Sequence, residues 1–162
     1  MIGIRLIENE EDLRRSVDIV RASFATVAEQ LGLTPDNCPT HPAFITYDRL
    51  AEKWGICNTY FGLFENDKQA GFVIVEKNSE HSFCIERLAV LPEYRHLGFG
   101  SKLMSFAFDY IKSSGGADVS IAIVNENSLL KHWYEEQGFA EIELKRFDHL
   151  PFTVCYMVKY LV

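Results

Sequence analysis

The run from Glu86 to Ser101, ERLAVLPEYRHLGFGS, concentrates more chemically useful residues than any other part of the chain. Leu88-Ala89-Val90 leads through Pro92 into a turn, Arg95-x-x-Gly98-x-Gly100, and the turn opens a helical pattern at Leu103, Phe106, Ala107, Tyr110 and Ile111. At a strand-to-helix junction the first helical amides lack an intrahelical acceptor, and the helix dipole adds positive potential. A diphosphate can sit there. Glycine lets the backbone come close to it, and an arginine can neutralise its charge. Two familiar phosphate loops do not fit. The Walker pattern GxxxxGK[ST] fails because Gly100 is followed by Ser101-Lys102 and no glycine lies five residues before it. The dinucleotide pattern GxGxxG fails because Leu103 stands where the third glycine belongs.

The elements that must carry this turn are legible from periodicity. Residues 1–7 alternate weakly, as a first strand would. Leu13, Val17, Val20, Phe24, Val27 and Leu31 form one face of a long helix that Gly32 stops. A proline-containing loop follows, and residues 43–54 read as a second helix. Three stretches rich in β-branched and aromatic residues, 59–64, 70–76 and 82–90, are separated by short polar turns and predict antiparallel neighbours. After the helix that follows the turn come a strand at 119–124, a helix at 127–137 stopped by Gly138, and a strand pair at 139–146 and 153–160. This order predicts a mixed sheet covered by helices.

Composition sets the outer limits. The 162 residues are 48% hydrophobic and 24% charged, which fits one ordinary globular domain. Sixteen basic against 23 acidic residues give a net charge of −7, so nucleic acid and anionic membrane surfaces are not expected partners. The first residues have no long apolar run, and no window is apolar enough to span a bilayer, so neither a secretory leader nor an anchor is expected. Cys38, Cys57, Cys84 and Cys155 form no CxxC pair and no zinc-finger spacing, so the chain reads as metal-free and cytoplasmic, with Cys84 and Cys155 as buried thiols. Cys38, beside Pro39, reads as a loop residue.

The segment Leu88-Ala89-Val90-x-Pro92 followed by Arg95-x-x-Gly98-x-Gly100 resembles the coenzyme A signature of the GNAT N-acetyltransferase superfamily. Downstream, Asn127 and Tyr134-Glu135-x-x-Gly138-Phe139 resemble that family's second signature. The resemblance runs over nearly the whole chain. It implies an α/β fold of the α+β type: a single GNAT-like domain over residues 1–162, with a mixed, mostly antiparallel central sheet of seven strands, flanking helices and a splayed parallel pair at strands 4 and 5. It also implies an acetyl-CoA-dependent N-acetyltransferase acting by direct attack in a ternary complex, with acetyl-CoA as co-substrate and a small-molecule or peptide amine as acceptor. A homodimer is allowed.

By position, the resemblance gives Leu88, Ala89 and Val90 the pantetheine arm, with the Leu88 amide on the thioester oxygen. It gives the amides of Arg95, His96, Leu97, Gly98, Phe99, Gly100 and Ser101 the pyrophosphate. Asn127 would contact the coenzyme, and Tyr134 would protonate the leaving thiolate. Glu86, at the strand centre and on the pleat parity of Leu88 and Val90, is the candidate general base. His41, His81 and His149 read as loop surface residues that could substitute for it. The acceptor pocket is expected from residues 33–58 and 146–152, where Phe44, Tyr47, Trp54, Phe147, Asp148 and His149 lie; the net negative charge favours a cationic amine. The alternative is a non-catalytic acyl-CoA-binding sensor or regulatory module, against which the phenol of Tyr134 argues.

Overall fold

Alternating side chains on the central strands bury on two faces, and each face recruits its own helices. In the computed structural model, which describes residues 1–161, the chain forms β1 (Ile2–Leu6), α1 (Glu10–Leu31), α2 (Tyr47–Ala51), β2 (Asn58–Glu65), β3 (Lys68–Lys77) and β4 (Ser82–Val90). It continues as α3 (Phe99–Ser113), β5 (Asp118–Val124), α4 (Ser128–Glu136), β6 (Ala140–Arg146) and β7 (Thr153–Tyr160). One seven-stranded sheet has the order β1-β2-β3-β4-β5-β7-β6. Every neighbouring pair is antiparallel except β4 and β5. The expected mixed sheet with its parallel pair at strands 4 and 5 is therefore present.

Phe61, Leu63, Val73 and Val75 point to one face and pack with Leu103, Met104 and Ala107 of α3 and Tyr134 of α4. Tyr60, Phe72 and Ile74, their alternates, point to the other face and pack with Leu13, Val17 and Val20 of α1 and Leu50 of α2. Such period-two alternation, meeting helices of period 3.6, covers both faces of the sheet.

Helix α1 starts where Asn9 Oδ1 accepts the Asp12 amide at 2.8 Å, and it ends at Gly32, whose φ of 64° is left-handed. The second helix is shorter than its sequence pattern predicts. Pro42–Phe44 makes a 3-10 turn, Ile45 is extended, and Thr46 caps a separate helix by accepting the Arg49 amide. The threonine hydroxyl and the preceding proline turn compete locally with a continuous helix. The same loop, as read for Cys38, buries that residue to 1% exposure in a third apolar cluster with Leu33, Ala43 and Phe152. Cys84 is half-buried rather than buried, because its neighbours on that face are polar. No helix among the described residues is long and apolar enough to cross a membrane.

Gly116 joins α3 to β5 and fixes where the parallel pair begins. Its amide donates to Ile111 O, and the next amide, of Ala117, donates to His81 O just before β4. A Cβ here would lie 2.2 Å from Ile111 Cγ2 and 2.8 Å from Phe83 Cδ1. Gly116→Ala should cost about 1–3 kcal/mol of overpacking and lower Tm by roughly 3–10 °C in a thermal melt. An unchanged Tm would show that this junction yields freely.

Candidate functional site

The site is built around a bulge in β4. Phe72 opposes Ala89 while Ile74 opposes Glu86, so Val73 alone faces both Arg87 and Leu88. Arg87 takes up the extra residue with a φ of 54°, a conformation rarely adopted by a side chain of this size. The bulge corrects one sequence expectation. Glu86 does not share a face with Leu88 and Val90: those two pack toward α3, whereas Glu86 lines a hollow on the α2 side with Tyr60 and Ile74. An inserted residue reverses the pleat parity on its far side.

The bulge lies where β4 and β5 separate. The two strands pair only at Ser82–Asp118, Phe83–Val119 and Cys84–Ser120. Further along β4, the Leu91 amide donates to Ala70 O on the β3 side at 2.9 Å. The Val90 amide faces away from β3 and meets Ser23 Oγ of α1 at 3.4 Å. By strand alternation the Leu88 amide faces the same way, into the gap left by β5.

The turn after β4 exposes a row of donors. The Lys102 amide makes the first intrahelical bond, to Gly98 O, and the amides of His96, Leu97, Gly98, Phe99, Gly100 and Ser101 have no protein acceptor among the described residues. His96 and Gly98 both have left-handed φ values, 64° and 81°, which curl the backbone into a concave nest of N–H groups. Around Gly98 a Cβ would meet open space, while at Gly100 it would touch the Trp133 indole at 3.4 Å. Gly98 thus serves the turn through its left-handed backbone, whereas a Cβ at Gly100 would make only ordinary contact with Trp133. Arg95 differs from expectation: its amide is taken by Pro92 O, and its guanidinium donates to Thr26 Oγ1 at 3.0 Å and Ser23 O at 2.7 Å. It braces the turn against α1 instead of facing outward. Ser23 and Thr26 carry no sequence signal beyond their place on a helix.

Helix α4 closes the other wall of the gap. Asn127 caps it, its Oδ1 accepting the Leu130 amide at 3.2 Å, which leaves the side-chain amide group free of this bond. Tyr134 is 7% exposed, with its ring edge-on to Trp133 and Phe139. Burial holds its phenol well above the usual range, so it stays protonated. Its hydroxyl has no protein partner, yet among the described residues only Gln69 Oε1 is both sealed from solvent and unpartnered. The Tyr134 hydroxyl therefore keeps some contact with solvent.

The candidate bases separate clearly. Glu86 is exposed on the hollow, whose volume is about 130 Å³, lined also by Arg49, Lys53, Tyr60 and Arg87. The expected acceptor segment 33–58 supplies part of this lining. Residues 146–152 do not; Phe147, Leu150 and Phe152 pack in the third cluster. Trp54 is committed to packing, with its Nε1 donating to Ile7 O at 3.1 Å, and Tyr47 is covered by Arg14. His81 and His149 are exposed loop residues, as read. His41 is not: it is 6% exposed, and its Nδ1 accepts the Ala43 amide. Burial, with the charge of Arg87, pushes its pKa down to about 4. Glu76, Cys84 and Glu86 bring three metal-capable atoms within 4.8 Å, but burial and then Glu86 push the Cys84 thiol up to about 12, so it stands as a neutral thiol.

His41 makes the fold acid-sensitive. An imidazole with its folded pKa below the unfolded value contributes its full stability above about 6.5 and loses it as pH falls toward 4, while the unfolded chain takes up the proton. The integrated effect is about 3 kcal/mol. Urea titrations at pH 7 and pH 4.5 should show a smaller loss in His41→Gln than in the parent chain; equal losses would remove His41 from this role.

Comparison with known proteins agrees with this geometry. The model of the acetyltransferase (GNAT) family matches residues 27–139, a span that contains the bulge, the turn and Tyr134. The fold is similar to the crystal structure of ribosomal-protein-S18-alanine N-acetyltransferase from Escherichia coli, with a TM-score of 0.80 and 21% identity over 99% of this chain and 94% of that one. It is also similar to the PaiA N-acetyltransferase from Thermoplasma acidophilum in complex with coenzyme A, with a TM-score of 0.73 and 19% identity over 99% of each chain. With its family model covering well over half the sequence and its sheet parting where the matched segment places the turn, the chain belongs to the GNAT acetyltransferase family.

Proposed function

We propose that this protein is an acetyl-CoA-dependent N-acetyltransferase that passes an acetyl group directly to a primary amine while both substrates are bound. The observation that carries this reading is the parting of β4 from β5 beyond Cys84, which turns the Leu88 amide toward a gap flanked by a nest of free amides and a buried phenol. The family and a relative crystallised with coenzyme A support the choice of co-substrate. Four free cysteines fit a reducing compartment such as the cytoplasm.

The donor row from His96 to Ser101 suits a diphosphate, since the helix dipole and the unpaired N–H groups act together. Leu88, Ala89 and Val90 offer a strand edge to an extended arm with amide groups, and Asn127 adds a side-chain amide at the far wall. Coenzyme, when bound, supplies an activated acetyl thioester. The Leu88 N–H then lies where negative charge grows on the carbonyl oxygen, and a fixed donor there lowers the barrier. Glu86, from the opposite face, takes a proton from the incoming ammonium directly or through water. Tyr134 returns a proton to the departing sulfur. A thiolate forming in the same poorly solvated gap is a stronger base than in water, which lets a reluctant phenol act as donor.

Tyr134→Phe retains the ring and its packing on Phe139 while removing the proton donor. It should lower kcat by roughly 10²-fold or more, with Tm and acetyl-CoA affinity nearly unchanged. Full turnover in that variant would end the acid assignment, and release of no CoA thiol by the parent chain with any amine would favour a binding module. Glu86→Gln should flatten the acidic limb of the kcat/KM profile. An identical profile would mean that the amine arrives already neutral or that water accepts its proton.

A further inference from the structure

The β4 bulge turns two successive side chains of opposite charge, Glu86 and Arg87, onto the same hollow. They make no contact ion pair within 4.0 Å, although Glu86 attracts the Arg87 charge from nearby. We propose that the acceptor is a small amino acid, whose carboxylate Arg87 binds while its ammonium faces Glu86. This inference rests on the acetyl-transfer reading and names its substrate class.

Arg87 is half-buried and held in a left-handed conformation. A guanidinium does not shed its proton in a protein, so partial burial without an anion in direct contact is a cost that a ligand can relieve. Its surroundings raise the local positive potential, because Arg49 and Lys53 line the same hollow and the Arg49 charge opposes that of Arg87. Glu52 also lines the hollow, so the cationic excess there is modest and suits one carboxylate better than a phosphate. A hollow of about 130 Å³ is small beside the ~300–1,000 Å³ of drug-sized sites and takes a compact polar group. The net charge of −7 disfavours anionic substrates at long range. A zwitterion escapes that repulsion and meets both signs on arrival. The planar fork of arginine suits a carboxylate through two parallel hydrogen bonds.

The test compares a panel of L-amino acids with the primary carboxamide of each, following release of CoA thiol from acetyl-CoA. The parent chain should prefer the acid in kcat/KM by at least tenfold for its best acceptor, chiefly through KM. Amidation lowers the basicity of the amine, so greater supply of free amine would push the other way. In Arg87→Gln the ratio should fall toward one, and Arg87→Lys should keep part of it; circular dichroism verifies that both fold. Equal use of acid and carboxamide by the parent, or an equal loss of both in Arg87→Gln, would overturn the assignment. Calorimetry with N-acetyl-L-amino acids and their amides gives a readout that needs no turnover. Binding of the acids to the parent but not to Arg87→Gln supports the carboxylate site even if no amine is acetylated, and binding that ignores the substitution overturns it.

Discussion

Two parallel strands that begin paired must be driven apart for this molecule to have a working centre, and the bulge at Arg87 is where β4 changes course. A residue at φ 54° costs about 1–3 kcal/mol and persists only where its surroundings over-determine it. Here they do. Ile85 on one side of the bulge and Ala89 on the other are buried in separate cores, so β4 is pinned to α3 before the irregularity and gripped from both faces after it. Neither core could be kept if the extra residue were ironed out, because every side chain beyond it would exchange faces.

The gap is expensive in a second way. Among the described residues six successive amides and the Tyr134 hydroxyl lack protein partners and the Leu88 amide faces the gap, whereas Gln69 Oε1 is the one sealed side-chain atom left unpaired. The fold holds these groups in place through α1. Arg95 ties the turn to Ser23 and Thr26, and Ser23 reaches the Val90 amide, so one helix steadies both the donor row and the lip of the gap. That helix also covers the sheet face on which Glu86 and Arg87 open. The two sides of the reaction are thus referenced to one rigid element of 22 residues.

Much of this was legible in the amino-acid order, for identifiable reasons. The strands and helices carry strong periodicity, and Gly32 and Gly138 mark ends through left-handed backbone that only glycine adopts cheaply. The turn was legible because its glycines and its position after an apolar strand constrain it together. The bulge was not: nothing in Glu86-Arg87-Leu88 announces an extra residue, and simple alternation therefore put Glu86 on the wrong face. His41 was misread because a proline-rich loop suggests exposure, whereas Phe24 and Phe44 fold over the ring. The role of Arg95 depends on Thr26 and Ser23, about seventy positions away, which no local pattern encodes.

The parted strands amount to a sheet edge placed in the interior of the sheet. Unpaired edges at the rim of a β-protein invite other chains to add a strand, and aggregation follows. Here the row of β4 lies inside the sheet, with β5 beyond it and helices packed on both faces, so it is not offered at a rim where another chain could add a strand. A slender chain bearing amides but few branches can enter. The fold keeps the adhesive chemistry of an open strand while narrowing its clientele, by shape alone, to thread-like molecules.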